Sequence, residues 1–265
     1  MDVAGSLVIV GGGKLPPAVC DAFLQLAGGS KAHLVVIPTA SYKADHPELL
    51  TTPAFFRARG VASVVVLHTR RRDQANDPAF VKPLTKATGV WLSGGDQSRL
   101  VEAYHGTRVE RELKNVLLRG GVIGGTSAGA SIMSNLMILG GTTVARTGQG
   151  FGLLPGVVID QHFVQRHRLD RLLGVLAKNP TYLGIGIDEQ TGIVVHGHGL
   201  TVVGVANVRV CTAGAERRPA GIQVLKAGDR LDLLAVVRPA APRLQAAAQA
   251  KEKPDTASAR RALSP

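Results

Sequence analysis

Short apolar runs rich in β-branched residues punctuate the first half of the chain: LVIV at 7–10, HLVVIP at 33–38, VASVVVLH at 61–68 and GVWLSGG at 89–95. Stretches of helical periodicity separate them, and the alternation predicts βα units whose parallel strands are buried on both faces between layers of helices. Proline marks several helix starts, because its missing N–H is not needed in the first turn. Pro16-Pro17 opens a helix over 18–27, Pro47 a second and Asp77-Pro78 a third, while 97–104 and 108–119 give two more. Gly120-Gly121 ends the last of these and admits a strand over 122–125. Farther on, the pattern predicts a strand in VVIDQHF at 157–163, a helix over 166–178, and strands in YLGIGID and GIVVHG. The runs TVVGVANVRV, GIQVLKA and RLDLLAVV, separated by polar turns, read as a small antiparallel extension at a sheet edge. The expected fold is therefore α/β, a three-layer, doubly wound, mostly parallel sheet with that extension.

Composition narrows the setting. A hydrophobic content of 45% over 265 residues can fill one sizeable core, so 1–237 is expected to be a single α/β domain. From Pro239 the chain is rich in Ala and Pro with few large apolar side chains, which predicts a disordered basic tail over 238–265. The formal net charge is +12, and that tail, with six basic and two acidic side chains, holds +4 of it. The remaining charge is scattered apart from Arg70, Arg71 and Arg72, and no aromatic residues interleave with it, so neither nucleic acid nor a membrane surface is the expected partner. The first residues lack a basic n-region and a cleavage site, and no apolar window reaches the roughly 18 residues of a membrane helix. Cys20 and Cys211 lie far apart, which indicates neither a disulfide framework nor a cysteine metal site and fits a reducing cytoplasm.

Candidate chemistry centres on GGTSAG. Gly125-Thr126-Ser127-Ala128-Gly129 is G-x-S-x-G after a predicted strand and before a helical stretch, the context that turns a serine into an exposed nucleophile on a tight elbow. Small neighbours are needed because larger side chains would collide in the turn, and the N–H of Ala128 then faces a developing oxyanion. A serine needs a base and the base an orienting group. His162 stands at a predicted strand end, whereas His167 begins a helix and His196 and His198 lie in a Gly-rich turn. No Asp or Glu lies between Ala128 and Ile159, so the orienting carboxylate is to be sought in Asp160, Asp188 or Glu189. A second glycine turn, Ser93 to Gln97, could supply another oxyanion donor at Gly95 and a substrate contact at Gln97. Arg168 and Arg171, at i, i+3, share a helix face suited to a carboxylate ligand. Gly11-Gly12-Gly13 fits neither G-x-G-x-x-G nor a phosphate loop, and no nucleotide is assigned to it.

Taken in order, GGTSAGASIMS, DQHFVQRHRLDRLL, GIGIDEQT and LSGGDQSRL resemble the cyanophycinases, a serine peptidase family that also contains aspartyl dipeptidase; the likeness runs from about Val8 to Val210. The resemblance implies a class I glutamine amidotransferase-like fold with serine in place of the nucleophilic cysteine. It implies Ser127 as nucleophile, His162 as general base and acid, and Glu189 as orienting carboxylate. It places Gln97, Asp160, Gln161, Arg166, Arg168 and Arg171 at substrate-binding positions. The implied substrate is cyanophycin, a poly-aspartate carrying arginine on each β-carboxyl, cleaved to β-aspartyl-arginine, with no metal or organic cofactor; a homodimer is common for such folds. An α/β-hydrolase esterase shares G-x-S-x-G but orders its triad Ser, acid, His, which would pair Glu189 with His196 or His198 at too short a spacing.

Overall fold

A computed structural model describes residues 3–214 and 220–237. The tail expected over 238–265 lies outside the described residues. The chain opens with β1 (Val3–Val10), α1 (Pro17–Leu26), β2 (His33–Ile37), α2 (Thr51–Arg57), β3 (Ser63–Val66), α3 (Arg72–Ala75), α4 (Pro78–Lys86) and β4 (Gly89–Leu92). It continues through α5 (Gln97–Tyr104), α6 (Arg108–Leu118), β5 (Val122–Thr126), the short α7 (Ala128–Ser131) and a hairpin of β6 (Leu136–Gly140) and β7 (Arg146–Gln149). Then come β8 (Val157–Gln161), α8 (Leu169–Lys178), β9 (Leu183–Ile187), β10 (Thr191–Gly197) and β11 (Gly199–Gly204). The described part ends with β12 (Val208–Thr212), β13 (Gly221–Leu225), β14 (Arg230–Asp232) and α9 (Leu233–Val237).

Eight strands form the main sheet in the order β14-β11-β10-β1-β5-β4-β2-β3. The five on the β3 side run parallel, and β10, β11 and β14 add antiparallel pairs on the other flank of β1. Strand alternation divides the burial between two helical layers. Leu7 and Ile9 face the core made with α4, α5 and α6, while Val8 and Val10 face α1, where Phe23, Phe56 and Trp91 pack with ring centroids 5.0 to 5.5 Å apart. Gly124 makes that aromatic cluster possible, because a Cβ there would lie 2.4 Å from the Trp91 ring.

Several expectations are corrected. The strands expected in VVIDQHF and YLGIGID do not extend the main sheet; as β8 and β9 they pair in parallel and, with β12 and β13, make a second, four-stranded sheet in the order β13-β12-β9-β8. The late strands thus divide between two sheets instead of forming one edge extension. The helix expected from 166 begins at Leu169, since His167 (φ 51°) adopts left-handed backbone that a helix cannot contain. Pro47 opens only a 3-10 turn, Pro47–Leu49, ahead of α2. The run RLDLLAVV is a three-residue strand followed by the helix α9. Finally β3, the edge strand, is only partly buried, with Val65 40% exposed, so not every parallel strand is covered on both faces.

Candidate active site

The turn after β5 puts Ser127 at φ 52°, ψ −110°, a region that L-residues rarely occupy and that persists only when its surroundings hold it. Its neighbours supply that hold. A Cβ on Gly125 would lie 2.4 Å from the Gly129 carbonyl oxygen, and one on Gly129 would lie 2.1 Å from the Leu92 carbonyl oxygen. Only glycine fits at either position, so β5 can fold back on α7 tightly enough to expose the serine. The small-residue pattern of the motif is thus a steric requirement of the turn.

His162 follows β8, and its Nε2 lies 2.9 Å from Ser127 Oγ while its Nδ1 lies 2.5 Å from Glu189 Oε1. A carboxylate can only accept, so Nδ1–H donates to Glu189 and the lone pair on Nε2 is left to accept the serine hydroxyl proton. The imidazole is nearly buried, and that desolvation lowers its pKa below the ordinary 6.5; Glu189 opposes the shift, and the Arg166 and Arg168 guanidiniums add to it. A neutral ring poised between a hydroxyl and a carboxylate can accept one proton and return it to a leaving group.

Three successive carbonyls at the end of β1 tie these residues together. Val10 accepts the N–H of Ser127 at 3.0 Å, Gly11 that of His162 at 2.7 Å, and Gly12 that of Gln190, next to Glu189, at 2.9 Å. Gly12 (φ 111°) lies beneath the imidazole, where a Cβ would come 2.3 Å from His162 Cε1, and a Cβ on Gly13 would lie 3.0 Å from Glu189 Oε2. The glycine triplet, to which the sequence assigned no nucleotide, is therefore the bed of the site. Gln165 was also missed; its Oε1 accepts the N–H of Glu189 at 3.1 Å. Neither has a sequence signal, because both contacts join segments more than 20 residues apart.

The other candidates divide into those at the serine and those behind it. Ala128 follows Ser127 at the start of α7, and the Gly94-Gly95 turn lies against it, a Cβ on Gly94 being 3.4 Å from Ser127 Cβ. Arg166 is exposed beside His162. Asp160 and Arg171 are 1% and 3% exposed and form a buried ion pair; Arg171 Nε donates to Asp160 Oδ2 at 3.0 Å, and its other nitrogens reach Asp160 Oδ1 and, at 2.5 Å, the Gly141 carbonyl. Arg168 Nη1 donates to Asp160 Oδ1 (3.2 Å), the Gln161 carbonyl (2.5 Å) and Gln161 Oε1 (3.0 Å). Gln97, also buried, spends its amide N–H groups on the Ile138 and Leu139 carbonyls, each at 2.8 Å. Gln97 and Arg171 therefore grip the β6–β7 hairpin, and Asp160 anchors Arg168 and Arg171. Of the other two candidate carboxylates, Asp160 is paired with Arg168 and Arg171, and Asp188 is committed to Arg209 and to the N–H groups of Val164 and Asn207, so the carboxylate beside the imidazole is that of Glu189.

The model of peptidase family S51 matches residues 7–203. A cyanophycinase from a Nostoc species is 37% identical over 200 residues, covering 71% of this chain and 66% of that protein. One from Synechococcus elongatus is 35% identical over 201 residues, 72% of this chain and 62% of that protein. The chain thus spans just under two thirds of the length of these curated relatives. Among solved structures, a peptidase from an acI-B1 actinobacterium superposes with a TM-score of 0.68 at 26% identity, covering 87% of this chain and 97% of that one. A putative peptidase E from Listeria monocytogenes, with a TM-score of 0.54 and 16% identity over 76% of this chain and 99% of that one, shares the fold.

Proposed function

The chain belongs to peptidase family S51, and we propose that it is a serine peptidase hydrolysing cyanophycin, or a related β-aspartyl peptide, through an acyl-enzyme. The observation that carries this reading is the continuous line from Ser127 Oγ through the His162 imidazole to Glu189, at 2.9 and 2.5 Å, on a strained serine turn. In the reaction, Ser127 Oγ attacks the scissile carbonyl carbon while His162 Nε2 takes its proton. The backbone N–H groups of Ala128 and Gly95 receive the negative charge that develops on the carbonyl oxygen. The C–N bond then breaks as His162 returns that proton to the leaving amine, and the acyl group stays on Ser127. Water, deprotonated by His162, attacks the ester; the C–Oγ bond breaks, Ser127 regains its proton and the carboxylate product leaves. Glu189 holds the ring and stabilises the imidazolium throughout.

Polymer cleavage is favoured over action on a free aspartyl dipeptide by the names and identities of the relatives. Arg166 is exposed beside His162, and a substrate built on aspartates carries free carboxylates for it to meet. Residues 1–237 are proposed as one hydrolase domain, and the buried free thiols of Cys20 and Cys211 fit a cytoplasmic setting. Among the described residues no helix is long and apolar enough to cross a membrane. The test is incubation with insoluble cyanophycin and, separately, with α- and β-aspartyl dipeptides, reading products by mass spectrometry beside Ser127→Ala. Release of β-aspartyl-arginine by the wild type alone is the expected result. Cleavage of dipeptides only would move the reading to an aspartyl dipeptidase, and no Ser127-dependent product would overturn it.

A further inference from the structure

A second hydroxyl–imidazole–carboxylate line lies outside the Ser127 site. Thr39 Oγ1 is 2.9 Å from His68 Nδ1, and His68 Nε2 is 2.9 Å from Asp45 Oδ1. Thr39 is fully buried, so its hydroxyl is closed to any substrate and the line is not a second nucleophile. It is instead fully engaged. The N–H of Thr69 donates to Tyr104 OH at 3.1 Å, Tyr104 OH to Thr39 Oγ1 at 2.7 Å, Thr39 to the His68 lone pair, and His68 Nε2–H to Asp45. Arg70 closes the far end, its Nε 2.9 Å and its Nη2 2.7 Å from Asp45 Oδ2, while the same guanidinium reaches the Thr39 and Ser41 carbonyls at 3.4 Å.

What this network holds is the segment after β2, and that segment carries the glycine turn beside Ser127. The turn is tied to it at both ends: the N–H of Ser93 donates to the Ile37 carbonyl at 3.0 Å and that of Asp96 to the Ala40 carbonyl at 2.9 Å. Between these ties Gly95, at φ 142°, is seated so closely on Ala40 that a Cβ would lie 2.1 Å from the Ala40 carbonyl oxygen. Any rotation of the Thr39-Ala40 backbone must therefore move Gly95. We propose that Thr39, His68 and Asp45 are positioning residues for the reaction, fixing the Ala40 carbonyl on which Gly95, the second oxyanion donor, is seated. The inference rests on the peptidase reading, and it explains why polar side chains from the segment after β3 and from α5 converge on a loop that bears no catalytic group.

Thr39→Val keeps shape and removes the hydroxyl, Thr39→Ser keeps the hydroxyl, and Asp45→Ala releases the exposed end of the line without opening the core. An ill-placed oxyanion donor lowers turnover more than ground-state binding, so Thr39→Val and Asp45→Ala should each lower kcat by about tenfold or more with KM within about twofold. Thr39→Ser should return kcat to within about twofold of wild type, a recovery that tests the hydroxyl itself. Amide hydrogen exchange gives a readout free of substrate: exchange over residues 93–96 should quicken in Thr39→Val and Asp45→Ala while α6 keeps its protection. Unchanged exchange there, or kcat unchanged in both variants, overturns the proposal even if hydrolysis depends on Ser127. Absence of Ser127-dependent hydrolysis in the wild type instead overturns the peptidase reading, and the exchange measurement still decides whether this network positions the turn.

Discussion

At the residue scale the proposed acyl transfer requires a neutral imidazole at His162, and its surroundings favour that form. Burial lowers its pKa first, Glu189 works against that, and the nearby arginines lower it further. The active form is the unprotonated one, so kcat/KM should fall as pH drops through a value below 6.5, and not through 6.5 itself. Removing the exposed cation in Arg166→Ala favours the imidazolium and should move this acid limb to higher pH, whereas Glu189→Gln should move it lower as well as cutting the rate. A kcat/KM profile at low ionic strength checks both directions; a limb that stays in place in Arg166→Ala would show that the guanidinium is screened from the ring. Ser127 and His162 stood out as candidates from the motif and from a strand end, whereas the residues alone left Asp160, Asp188 and Glu189 open as the orienting carboxylate, and only the family resemblance pointed to Glu189. The places of Gly12, Gln165 and His68 could not be read in this way, since each is defined only by contacts with distant segments.

Elements were legible where local signals are strong and illegible where pairing decides. The helices α4 and α5 start at Pro78 and Gln97, after Asp77 and Asp96, whose side chains accept from Ala79 and Ser98 N–H groups, a cap that sequence displays directly. The second sheet left no such mark. β8 and β9 are fully buried strands that read the same in either sheet, and only the pairing of β9 with β12, and of β8 with β9, assigns them. The β6–β7 hairpin carried no expectation at all, yet Gln97 and Arg171 grip it through three carbonyls. Arg171 matters here as an element fastener: it links α8, the end of β8 through Asp160, and the hairpin turn. Truncating it to methionine leaves a buried carboxylate with only Arg168 to compensate it, so Arg171→Met should cost about 3–5 kcal/mol in urea unfolding. Asp160→Asn combined with it should recover a large share of that loss, and a strictly additive double-mutant cycle would show that the pair acts as two independent contacts.

For the whole molecule, the decisive fact is that the site straddles two sheets. Ser127 leaves the main sheet at β5, His162 leaves the second at β8, and Glu189 lies on the crossing from β9 in the second to β10 in the first. One strand end spans the seam: the carbonyls of Val10, Gly11 and Gly12 bind all three segments, and Gly12 leaves room for the imidazole over the backbone. A methyl group there meets the ring at 2.3 Å in a backbone conformation that alanine resists, and the ring, held at both nitrogens, cannot yield without breaking a contact to Ser127 or Glu189. Gly12→Ala should therefore lower kcat by about 10²-fold or more, the scale of a displacement near 1 Å, while far-ultraviolet circular dichroism keeps its wild-type shape. The serine's own strain is independent of the ring, so Ser127 should keep its left-handed turn in a crystal structure of that variant while the imidazole moves away. Wild-type kcat in Gly12→Ala would mean that the two sheets can shift against each other enough to absorb the methyl, and that the seam is softer than its three hydrogen bonds imply.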